Sequence, residues 1–254
     1  MIHSERETAR HYWPFRGPLP CKLEILLVKS LGTTTDETRV RMKLRERLLK
    51  KFPAMEDISE GFLLWVEARD LDDAGALVAR WLRGSLRYLP WDSNTPYDET
   101  LEAEGFAEAM AEINDLSMVT LRSQPGKTDH REYVELAVED DALPLVREVA
   151  GEADVEVEVM PDKRKPAKKS TPVGLRKGKP HARLDWSRKD VSALFGYGSL
   201  AMAATVSKGQ YTLLSVYDRQ FARRGRVQYA LERLAEVMNA KQEQDVNQPE
   251  VEQE

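Results

Sequence analysis

The chain has 254 residues, 41% of them apolar and 32% charged, with a net charge of -5, the composition of a globular protein able to bury a sizeable core. Its longest apolar runs, such as 25–28, 62–66 and 200–204, fall far short of the ~20 residues that cross a bilayer, so no membrane span is expected. The charged opening lacks an apolar signal-peptide core and the lone Cys21 can form no internal disulfide, which makes the cytoplasm the expected compartment and an inert buried thiol the expected role of Cys21.

Residues 1–20 read as an irregular arm, because Pro14, Pro18 and Pro20 fit neither a helix interior nor a central strand. Leu23–Val28 suits a buried strand, and Val40, Leu44, Leu48, Leu49 and Phe52 recur at helical spacing through a basic segment that Pro53 closes. A helix with Asp70 as its cap follows, its apolar face made by Leu71, Ala74, Leu77, Val78, Trp81 and Leu82, with Gly84 suited to the left-handed position at its end. Beyond a turn-rich loop at 87–97, Phe106, Ala109, Met110 and Ile113 mark another helix, ending near Asn114.

Met118–Ser123 and Glu132–Val138 read as strands of a hairpin, with Pro125-Gly126 the signature of a type II turn between them. Asp141–Ala150 reads as a short helix stopped by Gly151, and the alternation in Val155–Val159 as a half-buried strand. Residues 161–182 carry no apolar pattern and read as an exposed basic loop; Tyr211–Tyr217 reads as a strand, and Val227, Ala230, Leu231, Leu234 and Met238 as the face of a last helix. The Gln- and Glu-rich tail at 241–254 is expected to be disordered. The expected fold class is α+β: a mixed sheet with amphipathic helices packed on it, a core domain at 62–240, and residues 1–61 as an added arm, strand and basic helix.

Charge is segregated along the chain. Thr128–Met160 holds eleven acidic residues against Arg131 and Arg147, whereas 161–180 holds eight basic residues against Asp162. One stretch could dock on the other. The basic stretch could equally neutralise phosphates, which makes Lys163, Arg164, Lys165, Lys168 and Lys169 the candidate nucleic-acid contacts. Weak binding without sequence preference is expected, because a loop has no ordered element to read base edges, and no interleaved aromatic residue offers a stacking platform.

Chemical motifs are few. Gly126-Lys127-Thr128 imitates the end of a phosphate-binding loop, but Leu121 stands where that loop needs glycine, and a strand rather than a helix is expected next. The histidines, His3, His11, His130 and His181, have no metal-ligand spacing, and no nucleophile–base pairing stands out, so neither metal nor cofactor is expected. Phe195-Gly-Tyr-Gly-Ser-Leu200 resembles a signature of γ-glutamyl cyclotransferases, whose glycine turn holds the substrate backbone. The resemblance covers six residues, and the strand, helix and polar tail expected after it do not follow that family's barrel pattern, so a glycine-punctuated turn is expected instead.

Trp65-Val-Glu-Ala-Arg69, Leu71-Asp-Asp73, Ala79-Arg-Trp-Leu-Arg-Gly84, Thr100-Leu101 and Ser123-Gln-Pro-Gly126 together resemble an uncharacterised family of actinobacterial and actinophage proteins, over about 62–138 and, with Val216-Tyr-Asp218, toward 240. The resemblance implies a habitat and a shared fold, and no reaction. It also singles out Arg69, Arg80, Ser123, Gln124 and Gly126, which could frame an anion or nucleotide site if guanidinium groups met the backbone N–H groups of the Ser-Gln-Pro-Gly segment; ion pairing of the arginines and simple hairpin closure is the plainer alternative. Three readings follow: a non-enzymatic accessory protein with a protein partner, a small-ligand or nucleotide binder that could be an enzyme, and a nucleic-acid binder acting through the basic stretch.

Overall fold

A computed structural model of the chain describes residues 56–86, 89–90, 105–166, 169–196 and 198–247. The strand expected at 23–28, the basic helix from Val40 to Phe52, most of the loop at 87–97, and Lys168 lie outside the described residues.

Helix α1 (Glu56–Glu67) leads into α2 (Leu71–Leu82), which begins where Asp70 accepts a hydrogen bond from Asp73 N at 2.9 Å and ends at Gly84 with φ of 72°. Both ends are those expected from the sequence. Helix α3 (Phe106–Asn114) crosses α2 where Gly75 lies, and a Cβ there would run into the carbonyl oxygens of Asn114 and Met118. Glycine is needed for this close approach, which brings α2 onto the start of strand β1 (Val119–Gln124). Strand β2 (Tyr133–Val138) follows, then α4 (Leu143–Ala153), which carries Pro144 in its first turn. Helix α4 does not stop at Gly151 but runs on to Ala153, where Asp154 takes the left-handed conformation with φ of 58°.

Strands β3 (Val155–Val159) and β6 (Thr212–Asp218) complete an antiparallel sheet of order β1-β2-β6-β3. The α+β class holds, and every strand pair among the described residues is antiparallel. Between β3 and β6 the chain makes a separate two-stranded hairpin, β4 (Thr171–Arg176) and β5 (Lys179–Leu184), and two helices, α5 (Arg188–Gly196) and α6 (Leu200–Ser207). The stretch expected as a featureless basic loop at 161–182 is thus a hairpin from Thr171 onward. Pro172 and Pro180 hide it from a propensity reading, and a two-stranded ribbon with free outer edges tolerates both.

Register assigns the two faces of the four-stranded sheet. Val134 pairs with Val216 and Leu136 with Leu214, and these join one apolar core with Trp65, Leu71, Phe106, Met110, Ile113 and Leu231 from the helices. On the opposite face Arg122 is level with Glu135, Glu135 with Ser215, Tyr133 with Tyr217, and Glu156 and Glu158 with Tyr217 and Ser215. Helix α7 (Arg226–Asn247) packs on α3 and α4 and continues past Ala240, where the tail was expected to begin, for seven more helical residues; Lys, Gln and Glu propagate a helix that packing has already nucleated.

The glycine-rich Phe195–Leu200 segment has a structural explanation. It joins α5 to α6, Ser199 caps α6 by accepting from Met202 N at 3.1 Å, and the Ser199 hydroxyl donates to the Ala68 carbonyl at 2.6 Å. A Cβ on Gly198 would collide with Pro90 and crowd Trp65. The segment is a dock for the end of α1.

Candidate nucleic-acid interface

Residues 163–184 contain no aspartate or glutamate. The first part of this stretch is committed to the body of the protein. Arg164 pairs with Asp190 at 3.0 Å, Lys165 pairs with Glu158, and Thr171 donates to the other oxygen of Glu158 at 2.8 Å. The basic segment therefore does dock on the acidic one that precedes it. Lys163 is exposed, and Asp162 pairs with Arg188 at 3.1 Å.

The second part is the hairpin, and its base is firmly built. Arg131 N donates to Val173 O at 2.8 Å, Leu175 N to Asp129 O at 2.7 Å, and Arg183 Nη1 to Ser170 O at 2.6 Å, while Val173 and Leu184 are buried. Gly174 permits the contact with the 127–131 loop, since a Cβ there would stand 3.0 Å from His130 Cδ2. Beyond this base Arg176 through His181 are all exposed. Lys177 and Gly178 both have positive φ, 52° and 74°, the signature of a two-residue type I′ turn whose twist matches that of the strands. Arg176 and Lys179 face each other across the ribbon directly before and after that turn. Among the described residues no carboxylate forms an ion pair with Lys169, Arg176, Lys177 or Lys179.

The chain on either side of the hairpin lies over the polar face of the sheet. Lys165 and Thr171 hold Glu158 before it; after it, Trp186 stacks on Arg122, whose guanidinium carbon is 3.8 Å from the ring centroid. Arg122 makes a two-pronged ion pair with Glu135, which is 1% exposed and also accepts from Ser215 Oγ at 3.4 Å. Burial pushes the Glu135 carboxyl and the Tyr133 phenol above their ordinary values, and the neighbouring guanidinium opposes both shifts. Arg131, at the hairpin base, stacks on Phe221 at 4.7 Å, and its Nε is buried without a hydrogen-bond partner.

Ser123, Gln124 and Gly126 lie together at the end of β1, Ser123 level with Val134 and Gln124 with Tyr133. Pro125-Gly126 does not make the turn expected of it. Gly126 is absent from the left-handed positions, and the chain reverses at Lys127–His130, whose N–H and C=O groups pair at 3.1 and 3.0 Å. Gly126 is required for a different reason: a Cβ would run into the carbonyl of Arg223 in the loop after β6. Arg69 and Arg80 flank α2 at its two ends, roughly 16 Å apart at 1.5 Å per residue, both exposed, with Arg69 N donating to Asp73 at 2.9 Å. Helix α2 thus separates the two arginines that the ligand reading brought together. Among the described residues no cluster of three or more His, Cys, Asp or Glu could hold a metal ion, and no helix is long and apolar enough to cross a membrane.

Residues 63–231 match the domain of unknown function DUF6919. The chain belongs to the DUF6919 family. The matched region of this DUF6919 protein starts inside α1 and ends inside α7, so it takes in the whole sheet, the hairpin and the α5–α6 pair. No curated protein matches the chain.

Proposed function

We propose that this DUF6919 protein is a non-enzymatic, cytoplasmic accessory protein that binds nucleic acid through the tip of the β4–β5 hairpin. The observation that carries the proposal is the exposed run Arg176–His181, presented by a hydrogen-bonded base and, among the described residues, free of ion pairs within an acid-free stretch. Arg164 and Lys165, which the sequence ranked with the contacts, are engaged by Asp190 and Glu158; the contacts are therefore assigned to Lys169, Arg176, Lys177 and Lys179, with Lys163 in support. Its resemblance to actinobacterial and actinophage proteins favours such a cell, or its phage, as the setting.

Four cations against phosphate give a log-log salt slope of about -3.6, so binding is steeply salt-dependent and modest near physiological ionic strength. The acidic run at 139–141 follows the end of β2 opposite to Arg131, which ties the hairpin base, so it would repel a polyanion from that end and orient the encounter. The test is fluorescence anisotropy with labelled nucleic acid across a salt series, comparing the parent with the triple variant Arg176→Ala, Lys177→Ala, Lys179→Ala. The slope should become shallower by up to about three units. An unchanged slope would remove the hairpin from the interface.

A further inference from the structure

We infer that the nucleic acid is duplex DNA and that the hairpin tip enters its major groove, an inference that rests on the nucleic-acid reading and names its substrate. The geometry has the right scale. Among the described residues the last point at which the ribbon is tied to the body is Leu175 N on Asp129 O; from there to Lys177 at the apex the backbone extends two residues, about 7 Å, before side-chain length is added. A B-form major groove is roughly 12 Å wide and 8.5 Å deep and admits a two-stranded ribbon. The deep, narrow major groove of A-form RNA does not admit side chains in this way. Single strands are bound on aromatic platforms, and Arg176–His181 offers no Phe, Tyr or Trp for one.

The chemistry at the tip suits base edges as well as phosphates. Arg176 and Lys179 are directly opposed, so a guanidinium able to span the O6 and N7 acceptors of guanine stands beside an ammonium that can take a second acceptor or a phosphate. Lys177 leads at the apex, and Lys169, near the hairpin base, is placed for the backbone. The type I′ turn and the bonds at the base fix this arrangement before binding, which lowers the ordering cost.

The experiment uses the full chain with four labelled probes of equal length: plain duplex DNA, duplex DNA whose major groove is filled by glucosylated hydroxymethylcytosine, duplex RNA and single-stranded DNA. Vesicles containing phosphatidylserine serve as a fifth. Plain duplex DNA should bind best, with the glucosylated duplex weaker by about tenfold. Arg176→Lys keeps the charge and removes the fork, so it should leave the salt slope unchanged while erasing any preference for guanine-containing sites. Equal binding of all four nucleic acids, or indifference to glucosylation, would overturn the groove assignment and leave the nucleic-acid reading standing. Failure to bind any of them at low salt, or preference for the vesicles, would overturn both.

Discussion

On one side of the sheet Val134, Leu136, Leu214 and Val216 meet Trp65, Phe106, Met110 and Leu231 in a continuous apolar core. On the other side Lys165 and Thr171 hold Glu158, Trp186 stacks on Arg122, and Arg122 and Ser215 both meet Glu135, so that hydrogen bonds, ion pairs and one stacked cation take the place of apolar contact. The same strands feed both faces, by simple alternation. Burial on the helix side supplies non-directional stability, whereas the polar side depends on each group finding its partner, and a lost partner there leaves a charge stranded. The helix side maintains the fold. The polar side holds the hairpin in place.

Truncation should separate the two sides. Trp65 is 0% exposed and lies against Gly198, where an added Cβ would stand 3.2 Å from the tryptophan Cβ, so Trp65→Ala should cost about 3 to 5 kcal/mol in urea unfolding, the largest effect expected. Arg122→Ala strands Glu135, which is 1% exposed; because Arg122 keeps 26% exposure, the cost should fall near the low end of the buried-pair range, about 3 kcal/mol. The double change Arg122→Leu with Glu135→Leu should recover to within about 1 kcal/mol of the parent, since no charge is left behind. A double variant as unstable as the single one would mean that shape rather than charge fixes this face.

The two faces also differ in how far the sequence disclosed them. Helix-side elements were legible because their signals are local: Asp70 as a cap, Gly84 as a left-handed stop, and Leu71, Leu77, Val78 and Trp81 at helical spacing all read directly. Strands β1, β2, β3 and β6 carried enough alternation to be found. The hairpin was missed because its strands contain Pro172, Pro180 and several cations, and because its stability comes from contacts with Asp129, Arg131 and Glu158, distant in sequence. Helix α1 was missed as well, and so was the α5–α6 pair, whose start is fixed by Asp190 accepting from Ser187 N at 2.9 Å. For the candidate site, the basic charge was visible, but which cations are engaged was not: Arg164 and Lys165 are indistinguishable from Lys177 and Lys179 until the fold supplies Asp190 and Glu158. The glycines of the Ser-Gln-Pro-Gly and Gly-Tyr-Gly-Ser segments looked like ligand loops because close backbone packing and ligand approach ask for the same residue.

One carboxylate on the helix side carries a pH signature. Glu132 is 0% exposed and accepts from Gly225 N at 3.0 Å and Val227 N at 2.8 Å, capping α7; burial pushes its carboxyl above the ordinary glutamate range, against those backbone bonds. Between the ordinary value and the raised one the folded protein holds a proton that the unfolded chain has released. Stability from this group is therefore complete below that window and declines as pH rises through it. Glu132→Gln should abolish that decline, at a cost of about 1 kcal/mol for the weaker cap. Urea midpoints of parent and variant across mildly acidic to neutral pH should diverge in slope; parallel curves would remove Glu132 as the source.

The smallest effect on stability is expected at the hairpin tip, and its smallness separates display from support. Arg176, Lys177 and Lys179 are exposed and make no ion pair among the described residues, so replacing all three with alanine removes no buried area and strands no charge. Each change should stay within about 0.5 kcal/mol, as for surface positions away from special features. Lys177 adopts φ of 52°, a conformation alanine tolerates no better than lysine, so the exchange leaves that backbone strain unchanged and any cost should be small. Removing three like charges that crowd one turn would act in the opposite direction by reducing repulsion. The thermal midpoint of the triple variant should then match the parent closely while its nucleic-acid salt slope changes. A drop as large as that of Arg122→Ala would show that the tip packs against something, and any loss of binding in that variant would have to be charged to the fold.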